Sequence, residues 1–182
     1  MDQGLSLKRR LLFTGIVTLL VWAHLLWDYL HEGVPTHYLL HSKDMPGISN
    51  WWGGITLPLV TFLLLFWIHK NFLKTSELDI SETSKILVIR FIMALVFGIL
   101  LSVFFTLGSP APGYMMLIAI VLSFFLPLYK PEYLLGLILG MSYTFGANIP
   151  ILAAFVLLLI FLVCYKLIRF GALVLIARMR QS

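Results

Sequence analysis

The chain has 182 residues, of which 60% are hydrophobic and only 12% charged, with a mean hydropathy of +0.99. That excludes an ordinary soluble domain, in which roughly a quarter of the residues are charged. Its 13 Lys and Arg against 8 Asp and Glu give a net charge of +5, but they are scattered between apolar runs, a pattern of membrane orientation and not of nucleic-acid binding.

A spanning helix needs about 20 predominantly apolar residues, and six segments approach that length. They are predicted at about Leu11–Leu30, Ile55–Ile68, Ile86–Leu107, Tyr114–Leu128, Tyr133–Ala147 and Ile151–Ile168. The opening KRRLLFTGIVTLLVWA has the basic and apolar parts of a signal peptide but no small-residue cleavage site. It reads as a retained first helix. NFLKTSELDISETSK, after the second segment, reads as a solvated loop. GSPAPG, after the third, reads as a tight turn. Gly98 with Ser102, and Gly136 with Gly140, are small-residue steps that predict close helix packing. Cys164 is the single cysteine, so no intrachain disulfide forms. FGALVLIARMR at the end is too short to span and reads as a basic tail lying along the membrane.

Every Lys and Arg except Lys43 falls on one side of this arrangement, provided that Arg90 snorkels back from early in the third helix. Both termini are then cytoplasmic. Trp27, Tyr29, Trp51 and Trp52 mark the outer boundary, and Trp67, Tyr129 and Tyr133 the inner one. The predicted fold is all-α: a polytopic helical bundle of six transmembrane helices forming one integral membrane domain over residues 1–182. The outer loop 31–53 is folded over the bundle. The expected location is the bacterial inner (plasma) membrane, and a homo-oligomer is compatible with it.

The chemistry concentrates in HLLWDYLHEGVPTHYLLH, from His24 to His41, which holds four of the 5 histidines together with Asp28 and Glu32. At 100° per residue, His24, Asp28 and His31 lie within about 60° of one another on the first helix. Gly33 and Pro35 break that helix. His37 and His41 are again four apart around an apolar YLL, which predicts a short helix at the outer interface. Ser49 or Asn50 is expected to cap the second helix, putting its positive end near the same site.

Imidazole and carboxylate at this spacing suit a divalent transition metal such as zinc, manganese or iron. The candidate ligands are His24, Asp28, His31, His37 and His41. Glu32 and Asp44 are the acids available as a general base toward a metal-bound water. HEGVPTH is not the zincin HExxH, because its spacing is longer and a proline interrupts it. The cluster loosely resembles that of the alkaline ceramidases, which collect zinc ligands from widely separated members of seven helices. Here they come from one helix and its adjoining loop, and no family is assigned.

The rival reading is an interfacial polar network, since each histidine taken singly can bond a carbonyl and water at a membrane boundary. His69, beside Lys70, reads as an interface residue. Ser102, Thr106, Ser142, Tyr143, Thr144 and Asn148 either line a pocket below the histidines or bond to backbone carbonyls. Two function classes follow. One is a metal-dependent hydrolase acting on membrane lipid or a lipid-linked substrate. The other is a non-enzymatic small permease or partner subunit.

The charge bias makes a direct prediction about topology. In a Cys164→Ser background, cysteines introduced at Lys43 and Gly113 should react with an impermeant thiol reagent from outside, and those at Ser76 and Ser182 should not. Labelling at position 76 would reverse the orientation.

Overall fold

Residues 5–31, 33–38, 47–73 and 80–168 are described by a computed structural model. They form six α-helices: α1 (Leu7–His31), α2 (Gly53–Phe72), α3 (Ile80–Thr106), α4 (Ala111–Leu122), α5 (Pro131–Phe145) and α6 (Asn148–Leu162). A π-helical turn, Val163–Ile168, continues α6. Four stretches are long and apolar enough to cross a membrane: Leu7–His31, Asn50–Phe72, Ser81–Thr106 and Asn148–Leu167. At 12 and 15 residues, α4 and α5 measure only about 18 and 22 Å, short of a hydrocarbon core of about 30 Å.

The helix ends have local causes. Two prolines and Ser109 set the start of α4, where the Ser109 hydroxyl accepts the Ala111 amide at 3.2 Å. The fourth helix stops at Leu122 instead of running on to Leu128. Ser123 turns its hydroxyl onto the Ile120 carbonyl at 2.6 Å, and Pro127 disfavours helix in the residue before it. α3 begins six residues earlier than Ile86, the expected start. Part of the polar stretch read as a loop is therefore helical, and Glu82 pairs with Lys85 there at 3.7 Å. Gly146 closes α5 with a φ of +67°, a conformation that costs glycine little.

α5 is the central helix. Leu134, Leu135, Gly136, Leu137, Ile138, Gly140 and Met141 are all buried along it. Its glycine step packs closely, as the spacing implies, and the partner is the small-residue step of α3. A β-carbon on Gly136 would run into the Phe91 carbonyl oxygen and lie 2.8 Å from the Leu95 amide. One on Gly140 would run into the Leu95 carbonyl oxygen, and one on Gly98 would lie 2.9 Å from the Leu137 carbonyl oxygen. The backbones of α3 and α5 thus touch, running in parallel. In lipid, which is as apolar as leucine, such dispersion contact is what holds helices together.

α1 packs antiparallel on α2. Trp22 and Leu25 lie over Gly54, and the Trp22 indole N–H donates to the Gly54 carbonyl at 3.1 Å. Lower down, the Arg10 guanidinium sits 5.9 Å from the Phe62 ring centre and 5.6 Å from that of Phe66. Arg90 is held more firmly than a snorkelling side chain would be. Its Nη1 donates to Glu132 Oε1 at 3.0 Å, joining α3 to the first turn of α5, where Glu132 is only 3% exposed.

The close contact predicts opposite outcomes for two identical substitutions. Alanine is the better helix former by about 1 kcal/mol, and a β-carbon at Gly15 meets nothing within 4 Å. Gly15→Ala should therefore hold or raise the thermal midpoint. Gly140→Ala should lose about 1–3 kcal/mol through overpacking, read as a lowered midpoint in the same detergent or nanodisc.

Candidate functional site

The upper end of the bundle, where α1 finishes, is tied together by backbone and amide bonds. Gly33, at a φ of +84°, donates its N–H to the Asp28 carbonyl at 2.8 Å and ends α1. Two short strands follow, β1 (Thr36–Tyr38) and β2 (Gly47–Ser49), paired antiparallel with Thr36 opposite Ser49, His37 opposite Ile48 and Tyr38 opposite Gly47. His37 therefore lies on a strand and not on the short helix that its spacing from His41 suggested. Pairing with β2 satisfies backbone groups that a single helical turn would leave open.

Asn50 locks this hairpin to the bundle. It is 4% exposed. Its N–H donates to the Pro35 carbonyl at 3.1 Å, and its side-chain oxygen accepts the Ala147 N–H at 3.4 Å. The expected cap on α2 is accordingly not made by Ser49 or Asn50: α2 follows directly from a 3-10 turn, Asn50–Trp52, without a side-chain cap bond. Asn50 spends its amide on the α5–α6 junction instead. Gly53 leaves room for Ala147, and the Thr56 hydroxyl donates to the Asn148 side-chain oxygen at 2.9 Å.

Against this upper end stands the candidate site. His24 Nε2 lies 3.7 Å from Asp28 Oδ2, with the side chains 26% and 17% exposed. The Tyr143 ring of α5 stacks on the His24 imidazole, centroids 4.9 Å apart. His31, one turn further on, is engaged locally. Its ring stacks on Trp27 at 4.0 Å, and its Nδ1 lies 2.9 Å from the Trp27 carbonyl. A carbonyl only accepts, so Nδ1 is the donor. Among the described residues, no three His, Cys, Asp or Glu come together as a metal-holding group. Glu32, His41 and Asp44 lie outside the described residues, as does the side chain of His37.

A lateral groove of about 780 Å³ runs down from His24 between α1 and α3, with α5 as its floor. Ile16, Leu20 and Val21 form one wall, Phe91 and Leu95 the other, and Leu139 the floor. Polar atoms enter it at the upper end, through His24, Ser142 and Tyr143. From Phe13 to Trp27 along α1 the groove extends about 21 Å, more than the roughly 15 Å of one leaflet's hydrocarbon. Of the hydroxyls expected near a pocket, Ser142 does line the groove, while donating to the Ile138 carbonyl at 2.6 Å. Thr106 donates to the Ser102 carbonyl at 2.9 Å, as a membrane threonine commonly does.

Sequence spacing found the His24–Asp28 pair, because both ends lie on one helix. It did not find Asn50 as the tie, whose partner Ala147 is remote in the chain. No family model, no curated protein and no solved structure matches this chain.

Two substitutions separate the tie from the ring contact. Asn50→Ala orphans the buried Ala147 amide and should cost about 1–3 kcal/mol, seen as a lowered thermal midpoint. His31→Ala removes an exposed ring held, among the described residues, by its own helix and should stay within about 0.5 kcal/mol of the parent.

Proposed function

We propose that the protein holds a lipid or lipid-linked amphiphile in the lateral groove and hydrolyses its polar end at the outer face of the membrane. The observation that carries this reading is the position of His24, with Asp28 beside it, at the polar mouth of an otherwise apolar groove. Acyl chains fit the groove below, and the scissile bond of the headgroup comes to the imidazole.

Asp28 beside Nε2 favours the tautomer with its proton there and steadies the positive ring formed during turnover. Nδ1 is then the nitrogen that takes the proton of an attacking water. Tyr143, stacked on the ring, limits its rotation. The metal-dependent form of this reading adds a divalent ion, zinc by preference, which would supply an activated water. His24 and Asp28 then belong to a donor set completed from His31, His37 and His41, with Glu32 or Asp44 as base.

A second reading has its own support. The His31 ring is occupied by its own helix, as in a structural interfacial network. On that reading the protein is a small permease or partner subunit, and a neighbouring helix fills the groove.

Turnover in a screen of lipid and lipid-linked substrates tests the choice. His24→Gln and Asp28→Asn should each lower turnover by about 10²–10⁴-fold while keeping the thermal midpoint, and His31→Ala should not if the metal-free pair suffices. Elemental analysis before and after chelation separates the two forms: the metal form loses turnover together with its bound metal. Absence of turnover with every lipid favours the partner or permease reading.

A further inference from the structure

At the opposite, lower end of the bundle a second cavity of about 550 Å³ opens between the ends of α2, α3, α5 and the turn that continues α6. Its lining brings together Arg90, Lys130 and Lys166 with one acid, Glu132. These residues come from three separate parts of the chain, so the concentration of positive charge is a product of the fold. Arg90 is committed to Glu132 at 3.0 Å, which leaves Lys130 and Lys166 in excess. No ion pair to an acid is made by either lysine among the described residues.

The cavity also offers neutral donors. Asn71 and Thr83 line it, as does Tyr129, whose ring carries the Lys166 ammonium 5.4 Å from its centre. Burial, then the charges of Tyr165 and Glu132, raise the Tyr129 phenol above its usual pKa, so it stays a protonated donor at neutral pH. Lys166 sits within the π-helical turn. Such a turn adds a residue to the helical repeat and redirects the side chains after it; turns of this kind recur at binding sites.

Three features favour a lipid over a soluble anion. The cavity lies at the ends of the apolar helices, beside Trp67 and Tyr129, the aromatic type that settles at the membrane–water boundary. Its lining also includes apolar side chains, Phe72, Ile86 and Leu87. The basic loops on this side are those that the charge bias assigns to the cytoplasm, whose leaflet carries the anionic lipids. We infer that this cleft binds the phosphate headgroup of an anionic phospholipid of the inner leaflet, through Lys130 and Lys166 with Tyr129 as a neutral donor. The site is independent of the groove and of any chemistry there.

The test uses the full chain in nanodiscs of phosphatidylcholine with and without phosphatidylglycerol, reading retained lipid by native mass spectrometry. The parent should retain phosphatidylglycerol over phosphatidylcholine, and Lys130→Gln/Lys166→Gln should reduce that preference by about tenfold or more. Lys85→Gln, which removes a lysine paired with Glu82 at the same end, should leave it intact. If the double variant folds poorly, the parent in raised salt serves instead, and its preference should fall with ionic strength. An unchanged preference in the double variant, or in high salt, overturns the inference. So does displacement of the lipid by millimolar inorganic phosphate, which would reassign the cleft to a soluble anion.

Discussion

The backbone contact between α3 and α5 is the constraint from which the rest of the arrangement follows. Gly98, Gly136 and Gly140 let two parallel helices approach until main-chain atoms meet. That approach sinks α5 into the middle of the bundle, although at 15 residues it is too short to hold such a position by spanning alone. With α5 fixed against α3 and α1 packed on α2, a gap stays open between α1 and α3. Leu139, Ser142 and Tyr143 become the floor of the groove because α5 sits too deep to close it.

Each end of α5 is then fastened by a polar device that a lipid environment makes strong. Below, Arg90 and Glu132 join α3 to the first turn of α5. A nearly buried carboxylate without its partner would be costly, so the pair fixes the register of the two helices more than it adds net stability. Above, Asn50 holds the junction of α5 and α6 and carries the hairpin with it. The groove and its His24–Asp28 mouth lie between two fixed ends, and the lower cleft forms around the other side of the Arg90–Glu132 pair. One central helix thereby shapes two cavities of different lining, one apolar with a histidine at its mouth and one with two lysines and the Arg90–Glu132 pair.

The parts of this fold legible in the sequence are those written locally. Apolar runs gave all six helices, and the small-residue steps gave close packing on α3 and on α5, though not that each is the other's partner, because lipid and neighbouring backbone both act on short, regular spacing. His24 and Asp28 were legible for the same reason. The spacing of His37 misled: an i, i+4 step is also found where a strand, paired with Gly47–Ser49, decides the backbone of His37. Asn50 beside a helix start read as a cap, yet its amide went to Ala147. Glu132 drew no attention, since the arginine that selects it is 42 residues away and nothing in the sequence around either marks the pairing.

The central claim is that the groove between α1 and α3 belongs to a lipid-like molecule with its polar end at His24 and Asp28. Photo-crosslinking from within the groove tests it most directly. A benzophenone side chain at Leu139, on the floor, is compared with one at Leu159, which faces outward on α6. The account predicts that position 139 captures one amphiphile far out of proportion to its share of the membrane, while position 159 captures the bulk mixture. The same bulk mixture at both positions, or a protein adduct at 139, would contradict it.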